Sequence, residues 1–342
     1  MGITRFGIYH LILLVYPRYG CMTGKGSGMV DNINLPAILG ALSKPVTALV
    51  NNISKGIGNL ATAALMTREA KAGSKSLTVI NDAMRKIGLE PSRGGVDIKD
   101  RAHIRLHYQE IQRQENIEAI TRGAIELLND EIEEEYKEEI ESDWMARFFN
   151  LSQDVSNKDM QKVWAKVLAN ETLEPNTFSY RALITLSTMG RDDAEKFQRI
   201  CHVAYQYEEM VGVLIPYRQT ISAKDAELRK RFRSIFVGGT SDLLLMETFG
   251  LIFPDSLLSN LRVPEKEQRA YVTISGKHFE FVRTLESADE EIDLGSHYRF
   301  TPLGIELMSL IEPVPNQEYL QILREGFLEH KADLRMQEIA QK

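Results

Sequence analysis

Two histidines one helical turn apart are the most metal-like pair in the sequence. His103 and His107 fall in a segment of helical periodicity, and imidazoles four residues apart on a helix can share a divalent cation. The zinc-protease pattern needs a glutamate between them, and none is there. Arg101 and Arg105 would in addition repel a cation. The pair therefore does not predict a metal site, and the sequence predicts no cofactor.

Candidate nucleophiles and phosphate-binding loops also lack the neighbours that their chemistry requires. Ser179 has no nearby histidine in the sequence to act as its base. The glycine-rich stretch 24–28 lacks Walker spacing and a preceding strand, so we interpret it as a flexible joint. Cys21 and Cys201 lie far apart, without metal-type spacing. No dinucleotide fingerprint, nucleophile elbow or paired-carboxylate pattern occurs either, so the sequence predicts a protein that is not an enzyme.

A basic cluster is the best candidate for contacting nucleic acid. Its four members are Arg229, Lys230, Arg231 and Arg233. Such side chains can bind phosphates, but Asp225 and Glu227 lie beside them, which is typical of a solvated helix face. The net charge of −7 also does not favour a general nucleic-acid binder. A structural or protein-interaction role is the favoured interpretation, and DNA binding is the alternative.

The composition indicates a globular protein with room for two or three domains. The chain has 342 residues, of which 43% are hydrophobic and 26% charged. Two cysteines are too few for a disulfide scaffold, so we predict a cytoplasmic protein, with a position peripheral to the inner membrane as the alternative. Residues 1–28 are predicted to be an upstream extension or disordered. The apolar run Phe6–Tyr16 is shorter than the roughly twenty residues that span a bilayer.

Residues 29–66 are predicted to form an amphipathic helical region without acidic residues after Asp31. Its apolar stripe includes Leu42, Val46, Leu49, Ile53, Ile57 and Leu60. One interpretation packs this stripe on the rest of the protein or on a second subunit. The alternative lays it on a membrane surface, which suits an acid-free amphipathic segment. The first is favoured, because amphipathic helices most often face a core.

A long helical segment follows. Residues 67–97 are predicted to be a linker with a short helix, and 98–210 a helical domain. Its first helix runs from about Ile98 to Ile140, with apolar residues at a helical period and a charged surface. A coiled-coil or bundle helix of this kind predicts self-association.

The segment Asp143–Phe197 carries the strongest pattern. Ser156 is predicted to cap a helix that ends before Pro175, and a second helix is predicted to open at Thr177–Ser179 and to end at Gly190. A third is predicted to run from Asp192 or Asp193 towards Tyr207. The residues that stand out, all interpreted as structural, are Trp144, Asp159, Trp164, Glu171, Pro175, Ser179 and Arg181. Glu171 and Arg181 are expected to form an ion pair or to cap helices.

This segment resembles a known family. The run Asp154–Glu171, followed by Pro175 and Phe178–Leu183, is similar to the uncharacterised bacterial family catalogued as domain of unknown function 2806. The resemblance extends over most of the chain after Met29. The string around Trp164 is also similar to abortive-infection proteins of the Abi-alpha type. These resemblances imply a role in phage defence and a hairpin of two helices, and they imply no active site.

The C-terminal third is predicted to be a small α+β module. Strands at Arg269–Ile274 and His278–Thr284 flank a turn, a third strand is at Tyr298–Thr301, and Pro302 begins a helix. We interpret 211–315 as a winged-helix-like module and 316–342 as a final helix. The predicted fold is thus mostly α, with a small winged-helix-like module.

The predicted function is a non-enzymatic interaction or scaffold protein, in phage defence, with self-association and a protein partner still to be identified. One alternative is a membrane-surface effector that acts through residues 35–65. The other is a DNA-binding regulator that acts through the winged-helix-like module.

Overall fold

The computed structural model describes residues 44–57, 97–129, 139–217, 222–236, 238–254, 260–264, 269–283, 291–331 and 334–340. The predicted extension 1–28 and nearly all of the predicted linker 67–97 lie outside these ranges. The chain divides into two compact units, Met1–Val155 and Ser156–Lys342, so the division falls within the segment 98–210. Among the helices described, none is long and apolar enough to cross a membrane.

Three helices make up the described part of the first unit. They are α1 (Lys44–Ile57), α2 (Ile98–Asn129) and α3 (Ser142–Ser152). Helix α1 packs against both α2 and α3. Each of the three helices contributes buried apolar side chains to the core. Within it, Trp144 stacks on Phe148 with ring centroids 5.3 Å apart. Burial of the α2 side chains is confined to the second half of the helix, from Ile117 onward.

Three helices begin the second unit: α4 (Lys158–Leu173), α5 (Tyr180–Thr188) and α6 (Arg191–Cys201). The cap of α4 is Asn157, whose side chain accepts the backbone N–H groups of Asp159 and Met160, so the prediction of Ser156 was wrong by one residue. Helix α5 begins where it was predicted to begin, and the Ser179 side chain is its cap. Helix α6 ends at Cys201, earlier than the predicted end near Tyr207.

A seven-stranded sheet dominates the second unit. Its strands are β1 (Tyr205–Tyr207), β2 (Met210–Leu214), β3 (Asn260–Pro264), β4 (Arg269–Ile274), β5 (Lys277–Arg283), β6 (Glu291–Arg299) and β7 (Leu334–Ile339). Their order across the sheet is β3-β6-β2-β1-β4-β5-β7, and every neighbouring pair is antiparallel. The sheet is curled.

This sheet shows that the predicted fold class is wrong. The protein is neither all-α nor mostly α with a small winged-helix-like end, because one large antiparallel sheet organises the unit. Strand β1 has three residues, too few to show the alternation by which a strand is recognised. Strand β7 was included in the predicted helix 316–342, although the helix there ends at His330.

Other local predictions in this unit are confirmed. Strands β4 and β5 form the predicted hairpin, and its turn residues Ser275 and Gly276 have φ of 54° and 74°. Pro302 is the first residue of the helix that follows β6, and the Thr301 side chain caps that helix.

Four further helices accompany the sheet: α7 (Ala223–Ser234), α8 (Ser241–Thr248), α9 (Pro302–Met308) and α10 (Gln317–His330). Helix α10 packs against α7 and β7, while α8 packs against α6 and α9 against α5. Helix α10 buries a continuous apolar stripe, which includes Leu320, Leu323 and Phe327. This packing places the C-terminal end of α10 beside the β3–β6–β2 part of the sheet.

Candidate functional site

A cleft of about 530 Å³ lies between the sheet and α10. Strand β6 and the first residue of β3 form one wall, and the C-terminal half of α10 forms the other. The residues that follow β2, from Ile215 to Tyr217, close one side. A cleft of this volume is in the range of roughly 300–1,000 Å³ that small-molecule sites occupy.

The β6 wall carries a polar network around Asp293. Its Oδ1 accepts the backbone N–H of Gly295 at 2.8 Å. Its Oδ2 accepts two hydrogen bonds, one from Nζ of Lys331 at 2.8 Å and one from Nδ2 of Asn260 at 3.2 Å. The Ser296 hydroxyl donates to Oδ1 of Asn260 at 3.2 Å. Burial raises the pKa of Asp293, but the hydrogen bonds from Lys331 and Gly295 outweigh it and hold that pKa below its usual value.

A second polar pair lies at the end of α10. Nε2 of His330 is 2.7 Å from Oδ1 of Asp225, a side chain that is 1% exposed. The Ser222 hydroxyl donates to the other carboxylate oxygen at 2.6 Å and also caps α7. A carboxylate only accepts hydrogen bonds, so Nε2 carries the hydrogen. The pair therefore ties α10 to the first turn of α7 at the rim of the cleft.

A β-bulge in β6 shapes the wall. Leu261 pairs with Gly295 but Arg262 pairs with Asp293, so Leu294 is the additional residue in β6. Gly295 has φ of 94°, which favours glycine over any residue with a Cβ atom. Leu294 is 2% exposed and lines the cleft together with Asp293. Bulges often reorient side chains beside functional sites, and this one brings an apolar and a charged neighbour to the same cleft.

The α10 wall is mainly apolar. Leu323 and Phe327 line it, and Tyr217 lies at the side of the cleft. Gly326 makes the close approach possible, because a Cβ atom there would lie 2.0 Å from the carbonyl oxygen of Pro216. The cleft thus combines an apolar surface with a charged, hydrogen-bonded end.

The predicted basic cluster lies on α7, next to this site. Arg231 donates to Glu318 at 2.8 Å and to Glu325 at 2.7 Å, so it links α7 to α10. The Arg229 guanidinium lies over the Tyr217 ring, 5.2 Å from its centroid. Lys230 and Arg233 are exposed. The four residues therefore share one helix, but two of them contact the protein itself.

The predicted N-terminal stripe is described only in part. Val46, Leu49 and Ile53 are at most 1% exposed and face the interior of the first unit. Leu42, Leu60 and the side chain of Ile57 lie outside the described residues.

The residues of the family pattern have structural surroundings. Trp144 and Trp164 are buried in their own units, at 4% and 0% exposure. The Glu171 carboxylate accepts the backbone N–H groups of Asn176 and Phe178, so it organises the turn between α4 and α5. Burial raises the pKa of Glu171 in spite of these bonds.

The remaining pattern residues lie near the surface. Both the backbone N–H and the hydroxyl of Ser179 donate to Glu306 on α9. Asp159 pairs with Lys162 and Arg191. Pro175 is half-buried after the end of α4, and Arg181 is exposed.

His103 and His107 are both exposed on the first half of α2. In the part of the chain that the structure describes, no three His, Cys, Asp or Glu residues are placed to hold a metal ion.

Sequence reasoning missed the cleft residues. In the sequence, Asp225 lies beside the basic cluster, Asp293 belongs to no motif, and His330 and Lys331 fall within the predicted final helix 316–342. The partners of the Asp225–His330 pair are 105 positions apart, and no local pattern relates them. The only sequence signal was Ser222 with Asp225, a typical helix start.

With the geometry described, comparison with known proteins places the chain in a family. Residues 100–324 match the family described as Protein of unknown function (DUF2806). This match covers more than half of the chain, so the chain belongs to that family, as the resemblance predicted. No curated protein and no solved structure matches the chain. The family description names no activity.

Proposed function

We propose that this protein is a non-enzymatic binding protein whose second unit holds a small molecule in the cleft between β6 and α10. The observation that carries the proposal is the composition of the cleft: an apolar surface from Leu294, Leu323 and Phe327 beside the polar end at Asp293 and Lys331. Sites of this kind bind the body of a ligand by burial and orient it by a few polar contacts.

The hydrogen bonds at the cleft support binding over catalysis. The Ser222 hydroxyl donates to Asp225, and the Ser296 hydroxyl donates to Asn260. A serine nucleophile needs its hydroxyl directed at a base such as His330, and these two hydroxyls point elsewhere. Asp225 and Asp293 are both held in hydrogen bonds that fix side chains of the cleft walls.

The test is titration of the full-length chain with anilinonaphthalene sulfonate, a fluorophore that brightens in apolar sites. We expect saturable binding that is reduced at least tenfold in affinity by Ser296→Phe, which places a ring in the cleft. Ser187→Phe, on the exposed surface of α5, is the matched control and should bind as the wild type does. Equal binding by the two variants, with unchanged circular dichroism, would remove the proposal.

Self-association is a second proposed function, and the exposed first half of α2 favours it. Tyr108 is 42% exposed, and Ile104 and Ile111, on the same helical face, are half-exposed.

Light scattering after size exclusion tests this proposal. The double variant Ile104→Glu/Tyr108→Glu should elute as a monomer where the wild type is a dimer. Leu106→Glu/Gln109→Glu adds the same charge on the exposed opposite side of α2 and should stay dimeric. A wild-type monomer at every concentration tested would contradict self-association.

The similarity to abortive-infection proteins supports phage defence as the setting of this binding. Cells that express the wild-type chain should lower phage plating efficiency, and cells that express Ser296→Phe should not. Membrane-surface and DNA-binding roles stay predictions, with vesicle flotation and mobility shift as their respective tests.

A further inference from the structure

The polar end of the cleft has more donors than acceptors to offer a ligand. Both oxygens of Asp293 already accept hydrogen bonds, one from a backbone N–H and the other from two side chains. A cationic ligand would have to compete with Lys331 and Asn260 for this carboxylate. The Asp225 carboxylate is equally engaged, with Ser222 on one oxygen and His330 on the other, and is 1% exposed.

Lys331, in contrast, has hydrogen-bond donors left to offer a ligand. Its ammonium group has three N–H bonds, and the hydrogen bond to Asp293 uses one of them. Its side chain is 23% exposed, so the group is partly desolvated but reachable from the cleft. The second N–H of the Asn260 amide lies in the same network, since its Nδ2 donates to Asp293 with one hydrogen. A ligand head rich in acceptors fits these donors.

The rest of the cleft fits an apolar chain. Leu294 lies next to Asp293 in the bulge, so the apolar wall begins where the polar network ends. Leu323 and Phe327 continue this surface along α10, four residues apart on one helical face. Burial of an apolar chain here contributes to the binding free energy roughly 25 cal/mol for each Å² of apolar surface removed from water.

From this arrangement we infer that the cleft takes an anionic amphiphile: an apolar chain along Leu294, Leu323 and Phe327, with a carboxylate or phosphate head at Lys331. The inference rests on the proposed function and adds the chemical class of the ligand. Lys331 would be shared between Asp293 and the ligand head, and Asp293 would position the ammonium group. Charge-assisted hydrogen bonds of this type are the stronger ones, so the head sets specificity and the chain sets burial.

Three probes with the same chain length test the class: octanoate, octylamine and octanol, each used to displace the fluorophore from the full-length chain. Octanoate should bind at least tenfold more tightly than octylamine and octanol. Lys331→Met should reduce octanoate to the level of octanol and leave octanol unchanged, while Lys331→Arg should keep the preference. A thermal melt of each variant establishes that it is folded.

The outcomes separate the ligand class from the cleft itself. If octylamine binds as tightly as octanoate, or if Lys331→Met keeps the preference for octanoate, the anionic class is wrong although the cleft binds ligands. If Ser296→Phe binds all probes as the wild type does, the cleft proposal fails as well. Flotation with phosphatidylglycerol vesicles identifies the source: flotation that Lys331→Met abolishes assigns a lipid head, and octanoate binding without flotation assigns a free ligand.

Discussion

Two histidines of the second unit each face a largely buried partner, and their surroundings differ. His297 lies inside the sheet, 3% exposed, and shares a hydrogen bond of 2.5 Å with the Tyr205 hydroxyl. His330 lies at the cleft, and its partner is the Asp225 carboxylate. Burial lowers the pKa of His297 to about 4, so it is neutral at pH 7, and burial raises the pKa of Tyr205. Of these two pairs, the one inside the sheet is therefore neutral, and the one at the cleft includes a carboxylate.

The two pairs differ in how the burial of their polar groups is compensated. A neutral phenol–imidazole pair satisfies both polar groups without an ion in the core. The Asp225 carboxylate needs His330 and Ser222 to compensate its burial, and those bonds also join α10 to α7. The cleft pair is thus the more sensitive of the two to removal of one partner.

The largest expected effect is from Asp225→Ala. The change removes the acceptor of both His330 and Ser222 in a buried position, so unfolding free energy should fall by about 3 kcal/mol or more. Urea unfolding measures the loss. Asp159→Ala, at an exposed carboxylate with two surface partners, should cost less than about 1 kcal/mol. Similar losses of unfolding free energy in the two variants would show that the Asp225–His330 pair stabilises the protein no more than an exposed ion pair does.

The pH dependence of stability probes the interior pair. Because the folded state holds the pKa of His297 at about 4 and the unfolded value is about 6.5, only the unfolded state takes up the proton between these values. The free energy of unfolding should therefore fall by about 3 kcal/mol as pH drops from 6.5 to 4. Asp293 adds a loss only below about pH 4, since its pKa is lowered from that of an ordinary carboxyl.

Urea titrations at several pH values measure this slope, and His297→Gln should flatten it. In an NMR titration, the imidazole chemical shifts of His297 should stay those of the neutral ring down to about pH 4. Titration of His297 near pH 6.5 would contradict the account of the interior pair.

A smaller effect is expected from Tyr205→Phe. The phenyl ring keeps the packing, but Nδ1 of His297 loses its partner hydroxyl, which should cost about 1–3 kcal/mol. Thermal unfolding measures it at pH 7. Tyr271→Phe is the control, because the Tyr271 side chain is 54% exposed and the Glu280 carboxylate that accepts its hydroxyl keeps Arg269 as a donor.

The smallest effect is expected from Arg231→Met, which removes the ion pairs with Glu318 and Glu325 but keeps most of the apolar stem. These groups are partly exposed, so the loss should be about 0.5–1 kcal/mol and should shrink at high salt. Urea unfolding at 0.05 and about 0.5 M salt would measure it. A salt-independent loss would assign the effect to packing of α7 on α10.

Local features of the second unit were accessible from the sequence because neighbours in the chain determine them. The Ser275–Gly276 turn needs two residues that adopt positive φ, and the Thr301–Pro302 pair begins a helix by its own chemistry. Trp164 is buried, as a tryptophan on an apolar helical face predicts. The family pattern was also local, and the match over residues 100–324 bears it out.

The sheet and the cleft depend on pairings that no local pattern contains. Strand β1 joins β2 to β4, and β6 pairs with both β2 and β3. The β1–β4 and β2–β6 registers are each set between residues more than sixty positions apart. Asp225 and His330 meet only because α10 packs on α7. By itself, the sequence determined turns, caps, buried aromatic residues and the family. The tertiary structure alone decided the sheet order and the composition of the cleft, because burial and charge compensation are properties of residues distant in the chain.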